Sequence, residues 1–478
     1  MTTSPSVQPT IAARLERLPV TWLTWRIVIL AGFAWVTEAL SIGSLGVSLP
    51  SLRETFHLVP ANIGLLVAMQ TFGVVIGLIP AGRLADRFGR KRVLVGGILW
   101  YSIFTFCCGL VPGFSALLAV RFLAGLGMGA IFPLPYSIVC EFVQKTHRTL
   151  FNGFMDACLS IGYFIAPLLG FVVLPRFDPT VSWRIFFMVA ALPILYAGFV
   201  YRYLPESPRW LERRGRAAEA ETILAQMEAE AVRRSGQPLP APAPAAAAVA
   251  LQAEAGARES VFGRALIGRT LTRCVSATGV FFMFYVVMTY MPTIFVAQGF
   301  HFAKSLVFTA IITGAAIPGK LVNGWLSEMF GRRAAYVVFM GAAGIGAVLF
   351  GTAGSIGGTI VFACMMSFFG TGAFPALKMS IAEQYPLALR ATGAATVEAV
   401  SRFFGGVVGA FMLPVLLHSY GIMTSFIVIA VVAFIGVLIE LTYTVETRGK
   451  TLEELEVEAQ RVPVPVEAVY HPSRPTNS

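Results

Sequence analysis

Charge is scarce in this sequence. Asp, Glu, Lys and Arg make up 13% of the 478 residues against 56% hydrophobic ones, and the mean hydropathy is +0.74. An ordinary soluble domain is excluded, because it must cover its outside with polar groups. Acid is scarcer than base, with 25 Asp and Glu against 36 Lys and Arg and a formal net charge of +11. The excess does not point to nucleic acid. The basic residues sit in short turns between apolar stretches, where they set topology. Cysteine is sparse and unpatterned: Cys107, Cys108, Cys140, Cys158 and Cys364 lie within apolar stretches and Cys274 at the edge of one. Neither a disulfide framework nor metal-ligand spacing is present. No histidine falls mid-stretch, since His57, His147, His301 and His418 are at edges or in loops. Carboxylates are left to carry any proton through the membrane centre. No HExxH or comparable motif occurs, so an enzyme, a metal and a cofactor are all unexpected.

Long apolar runs are what the sequence does have. A helix needs about 20 mostly apolar residues to cross a bilayer. Twelve such spans can be marked: 25–49, 61–81, 93–112, 115–138, 149–174, 183–203, 274–297, 303–327, 334–353, 356–380, 391–417 and 420–442. The expected fold is an all-α membrane protein of twelve transmembrane helices in two pseudo-symmetric six-helix bundles. A leader (1–24) precedes the first bundle (25–203); a polar loop (204–273) joins it to the second (274–445), and a tail (446–478) follows. The leader holds Arg14, Glu16 and Arg17, so the first span reads as a retained helix rather than a cleaved signal. In the loop, Glu219 to Arg234 reads as a short amphipathic surface helix and 237–250 as a low-complexity linker. Arg83, Arg87, Arg90, Lys91, Arg92, Lys145, Arg148, Arg332, Arg333 and Arg390 fall in alternate loops. Only Arg53, Arg176, Arg184 and Lys304 occupy the others. Both termini are therefore expected in the cytoplasm, with the chain in the inner membrane as a monomer.

An internal repeat recurs at one offset of 242 residues. Gly82-Arg-Leu-Ala-Asp86-Arg-Phe-Gly89-Arg90 matches Gly324-Trp-Leu-Ser-Glu328-Met-Phe-Gly331-Arg332. Pro133 pairs with Pro375, Glu141 with Glu383, Arg148 with Arg390 and Asp156 with Glu398. Both copies begin on the same side, so the duplication is parallel, about an axis along the membrane normal.

These residues resemble the major facilitator superfamily over nearly the whole chain. GRLADRFGRK after span two is similar to its best-known signature, and Arg121-Phe-Leu-Ala-Gly125-Leu-Gly127-Met-Gly129 to its span-four motif. Pro205-Glu-Ser-Pro-Arg209-Trp-Leu and Glu446-Thr-Arg-Gly-Lys-Thr-Leu-Glu-Glu resemble the signatures ending each half in sugar porters and metabolite:proton symporters. Ala13-Arg-Leu-Glu-Arg-Leu-Pro19, Ile317-Pro-Gly319 and Arg402-Phe-Phe-Gly-Gly resemble the nicotinate-transporter and synaptic-vesicle-protein-like branch. The chain departs from that branch in three places. It has Glu38 and Ser41 where two aspartates are usual, Lys378 where a tyrosine is common, and Arg148-Thr149 where an arginine–glycine pair is. The resemblance implies alternating access, coupling of a small organic solute to protons, a proton-transfer role for Arg121, and an aromatic monocarboxylate such as nicotinate or a benzoate as solute.

Charges inside spans are costly unless they face a partner or a wet cavity. Glu38 lies 12 residues beyond Arg26, about 18 Å along a helix. It is either a proton-binding and solute-facing carboxylate or a structural hydrogen-bonding one. Glu398 and Arg402 stack one turn apart, acid first. They form either a self-satisfied pair or a site where Arg402 grips a substrate carboxylate and Glu398 exchanges a proton. Asp156 is a second protonation site or a structural hydrogen-bonding group. Arg121 either moves protons or binds backbone carbonyls. Lys320 and Lys378 are expected to snorkel, with Lys378 the candidate for solute contact. Tyr285, Tyr290, Phe368, Phe369 and Phe374 either line a cavity beside a flat solute or face lipid and neighbouring helices. Asp86, Arg90, Glu141 and Arg148, repeated as Glu328, Arg332, Glu383 and Arg390, form an expected gating set, since topology alone does not explain acids kept at matching offsets. A proton-driven exporter and a non-transporting receptor remain alternatives to an importer.

Overall fold

The computed structural model describes residues 11–144, 148–241, 260–263, 266–385, 389–444 and 446, leaving aside the side chains of residues 12, 148–150, 152, 390 and 391. The linker from residue 242 and the tail beyond 446 lie outside them, as do the side chains of Arg148 and Arg390. Eleven stretches among the described residues are long and apolar enough to cross a membrane. Six precede the polar loop: Trp22–Phe56, Pro60–Phe88, Arg90–Cys108, Phe114–Phe142, Gly153–Arg176 and Pro179–Tyr203. Five follow it: Ile267–Ala297, Phe302–Phe330, Arg332–Gly351, Ile356–Glu383 and Thr392–Tyr443. The last is 52 residues long, about 78 Å as one helix, more than twice the hydrocarbon thickness. It turns at Gly421, where φ is 76° and ψ is 179°, which ends one helix and starts another. The fold is therefore twelve membrane helices, numbered here as spans 1 to 12.

The chain forms two compact units. Unit 1 comprises Met1–Ala257 with Pro292–Ala310, and unit 2 comprises Arg258–Met291 with Ile311–Ser478. In unit 1, Phe302 and Leu306 pack into an apolar cluster with Val47, Ala166, Leu174 and Phe186. Glycines let spans 2 and 4 approach closely. A β-carbon on Gly73 or Gly77 would strike the Phe122 or Leu126 carbonyl, and one on Gly125 or Gly129 those of Gln70 or Val74. The glycine run of span 4 is thus a packing surface, as small residues commonly are between membrane helices.

The polar loop of unit 1 carries a small helical layer. Ala217–Ser235 buries Ala220, Leu224, Met227 and Ala231 on one face. The leader helix Ile11–Glu16 docks on it. Arg14 and Arg17 both grip Glu228, at 2.7 and 2.6 Å. The hydrogen bond from Arg14, reinforced by Arg17, holds the Glu228 carboxyl below its ordinary range. Glu230 of the same helix accepts from the backbone N–H of Leu23, satisfying a donor at the start of span 1.

The units differ in helix regularity. Unit 2 contains three π-helical turns, Val286–Tyr290 in span 7, Met366–Gly370 in span 10 and Arg402–Val408 in span 11. Unit 1 has none among its described residues. Such turns insert an extra residue and re-aim the side chains beside them, commonly at functional sites.

Candidate solute-binding and gating sites

Phe281 of span 7 and Phe374 of span 10 meet edge to face in unit 2, with centroids 5.1 Å apart. Phe284 packs against Phe374 and against Tyr285. Three cations converge on these rings. The ammonium groups of Lys320 and Lys378 each lie 5.6 Å from the Phe374 centroid. The Arg402 guanidinium lies 4.8 Å from that of Phe281. The expected snorkelling of Lys320 does not occur: it is 2% exposed, its head held inside the unit by the negative face of a ring. Lys378 sits on the same ring and is half-buried. Arg402, also buried, opens the π-helical turn of span 11. Its Nε and a terminal nitrogen donate to Glu398 at 3.1 and 3.0 Å. Both bonds converge on one carboxylate oxygen, so the pair is not the two-oxygen fork that a carboxylate facing the guanidinium squarely would make.

Asn323, one turn from Lys320, was not singled out by sequence. Its Oδ1 accepts from the backbone N–H of Ala376, two residues beyond Phe374. Its buried Nδ2 has no hydrogen-bond partner among the described residues. Such a donor is expensive to leave unmet. Tyr290 is placed differently from Tyr285, because its hydroxyl goes to the Ala410 carbonyl at 2.7 Å, tying span 7 to span 11. Phe368 and Phe369 pack on the buried ring of Phe339 rather than on the cation cluster.

The ionisable residues of unit 1 have mostly neutral neighbours. Glu38 is fully buried on span 1, in line with buried Ser41, Ser44 and Ser48. Tyr101 of span 3 donates to Thr37 at 3.0 Å, and Ser41 shares a hydrogen bond with Thr105 at 2.8 Å. Asp156 accepts from the Tyr136 hydroxyl at 2.7 Å, and Tyr136 packs edge-on against Trp35, three residues before Glu38. Arg121 is fully buried and donates to the Gln70 side chain at 3.1 Å. Its guanidinium carbon lies 4.0 Å over the Phe187 ring. The remaining nitrogens, Nε and Nη2, have no hydrogen-bond partner among the described residues. It is a glutamine and a ring that hold Arg121, rather than the backbone carbonyls considered from sequence.

The repeated loop signatures build the same clasp twice. In unit 1, Arg90 reaches Asp86 and Glu141, both at 2.9 Å. In unit 2, Arg332 reaches Glu328 at 3.7 Å and Glu383 at 3.1 Å. Each helix that follows is capped by a distant carboxylate. Glu206 accepts from the backbone N–H groups of Arg90 and Lys91 at 2.9 and 3.2 Å. Glu446 accepts from those of Arg332 and Arg333 at 2.9 and 3.0 Å. A carboxylate there meets unsatisfied donors and the positive end of a helix dipole. The approach requires Gly89 and Gly331, whose φ values are 99° and 101°. A β-carbon on either would occupy the place of the carboxylate. Sequence showed the two end-of-half signatures, but not that their glutamates close onto the clasp.

Unit 2 holds one further buried pair that sequence did not find. Arg273 and Glu440 are both fully buried and face each other through two hydrogen bonds of 3.1 and 2.8 Å. Ser276, Ser380 and Thr444 complete the network. The positions at the repeat offset in the first half are Ala31 and Gly198, so duplication could not reveal it.

The sequence model of the family described as "Sugar (and other) transporter" matches residues 18–459. The niacin transporter NiaP of Acinetobacter baylyi is 32% identical, the match covering 93% of this chain and 99% of that protein. The 4-hydroxybenzoate transporter PcaK of the same organism is 25% identical over 85% and 88% of the two chains. Among solved structures, the inward open conformation of the xylose transporter XylE from E. coli superposes with a TM-score of 0.73 at 19% identity, covering 91% of this chain and 99% of that one. That likeness concerns the fold alone. Twelve membrane helices, the doubled loop clasp and the family match over almost the entire length agree: the chain belongs to the sugar (and other) transporter family of the major facilitator superfamily and is a multi-pass membrane transporter of small solutes.

Proposed function

We propose that the protein carries a small aromatic monocarboxylate together with protons, as a monomer with both termini in the cytoplasm. The observation that carries the reading is the convergence of Lys320, Lys378 and Arg402 on the rings of Phe281 and Phe374. Such a cluster suits a flat anion: rings for its face, and a forked guanidinium for its carboxylate. A neutral sugar carries no charge to offset three cations. The relatives named for niacin and for 4-hydroxybenzoate agree in chemical class, since both solutes are aromatic acids. Asn323 and Tyr285 would fix the ring's orientation.

Glu38 would carry the proton. It is fully buried on span 1, on the helix that also buries Ser41, Ser44 and Ser48, and an ionisable group inside a membrane span commonly marks a proton or solute path. Asp156, Arg121 and Glu398 would tune or share that proton, with Glu398 released from Arg402 as a solute carboxylate takes its place. The clasps of Arg90 and Arg332 would gate the alternating access of the carrier.

The test is uptake into proteoliposomes under an imposed proton gradient. Nicotinate or 4-hydroxybenzoate should accumulate and be released by a protonophore, while nicotinamide and xylose should not accumulate. Equal accumulation of acid and amide, or indifference to the gradient, would overturn the reading.

A further inference from the structure

Unit 1 has a second concentration of positive charge, far in chemistry from the sites above. A groove of about 610 Å³ opens where the ends of spans 1, 3 and 6 meet the helical loop layer. Arg26, Lys91, Arg92 and Arg202 line it, with Tyr201 and Tyr203 at its edge. Arg26, Arg92 and Arg202 are exposed and have no ion pair among the described residues. The two acids in the groove are already engaged. Glu206 caps span 3, and Glu219 is bound through both oxygens to Arg216 at 2.6 Å. Lys91 lies over the Tyr201 ring and Arg202 over that of Tyr203, at 5.2 and 5.7 Å. With Arg216, five cations thus line a cavity that holds two carboxylates, an excess of three positive charges.

An apolar stripe runs into this groove. Leu192, Leu195, Phe199 and Tyr203 fall on one face of span 6 and are 56%, 65%, 58% and 49% exposed. The stripe ends on Tyr203, itself part of the groove wall. Tyrosine at the end of a membrane span marks the headgroup level. Charge and greasy surface are therefore joined end to end, at the depth where a lipid changes from headgroup to acyl chain.

We propose that this groove binds the phosphodiester headgroup of an anionic phospholipid, whose acyl chain lies along Leu192, Leu195 and Phe199. A free phosphate would match the cations but would leave the stripe unused, and a zwitterionic lipid would bring its own cation into a cationic site. Basic pockets at the membrane surface bind anionic headgroups on this principle.

Native mass spectrometry of the full-length protein in detergent, titrated with phosphatidylglycerol or phosphatidylcholine, tests the proposal. The wild type should retain one phosphatidylglycerol well beyond its retention of phosphatidylcholine. The triple variant Arg26→Gln, Arg92→Gln, Arg202→Gln should bind it roughly a hundredfold more weakly, from about a fivefold share per charge at the membrane surface. Glycerol 3-phosphate should not displace the lipid. Equal binding by wild type and variant, or equal binding of the two lipids, would overturn the proposal. Displacement by glycerol 3-phosphate would overturn the lipid and leave a soluble phosphate site. Should the variant not fold, the wild type alone decides: its preference for phosphatidylglycerol must exist and must weaken as salt rises.

Discussion

Units 1 and 2 share a clasp but not a core. At the loops, Arg90 and Arg332 hold matching acids, and Glu206 and Glu446 cap matching helices, with distances that agree within about an ångström. Inside the membrane the match ends. Unit 1 keeps buried ionisable groups among hydroxyls, an amide and a ring, on helices without π-helical turns. Unit 2 gathers cations on aromatic rings beside three π-helical turns and welds Arg273 to Glu440. A duplicated architecture can thus keep its loop clasps in common while its interiors take on different chemistry.

The largest test of that difference is Arg273→Ala or Glu440→Ala. Either leaves a fully buried charge without its partner, which typically costs about 3–5 kcal/mol. The thermal midpoint of the purified protein should fall sharply, while the paired replacement Arg273→Met, Glu440→Leu should recover most of it. A midpoint unmoved by the single changes would mean that unit 2 is not held by this pair.

Next in size is Arg402→Lys, which keeps charge but loses the fork. Binding of an aromatic acid should weaken by roughly tenfold to a hundredfold, the range of a charge-assisted bond, with little change in expression. The neutral amide should be nearly unaffected. Equal loss for both ligands would make Arg402 a structural residue. Its counterpart in unit 1 is Glu38→Gln, which should abolish proton-driven accumulation and leave solute exchange. Proton-driven accumulation at the wild-type level would remove Glu38 from coupling.

The clasps invite a matched pair of smaller changes. Glu206→Gln and Glu446→Gln each remove one capping charge, worth about 0.3–1 kcal/mol. Similar shifts in the thermal midpoint would sharpen the likeness of the two clasps; a shift in only one would break it. The smallest effect is one of pH and concerns unit 1 alone. Glu228 is held below its ordinary range by Arg14 and Arg17. Its stabilising contribution is therefore complete at neutral pH and is lost as pH falls through that depressed value. Hydrogen exchange in the Ile11–Glu16 helix should rise only under such acid conditions and, in Glu228→Gln, already at pH 7.

The fold was largely legible because the bilayer writes itself into the sequence as runs of apolar residues. Even the break near residue 420 showed, where Gly421 turns the chain. The π-helical turns did not show, since one extra residue per turn leaves hydropathy unchanged. Glu398 and Arg402 were readable from their spacing, and the clasp acids from their repeat. Arg273 and Glu440 were not, being 167 residues apart and absent from the first half. Lys320 was misread because its nearness to a helix end suggested an exit to water, whereas a ring from another span holds it in place.

Gly89 and Gly331 leave these two sites almost no room to drift. Each combines a backbone twist that side chains resist with an oxygen standing where the first side-chain carbon would go. Exhaustive mutagenesis of the chain should therefore leave two blank columns, 242 positions apart. A single methyl group at either would act as a wedge, prising a carboxylate from a helix end without altering any charge.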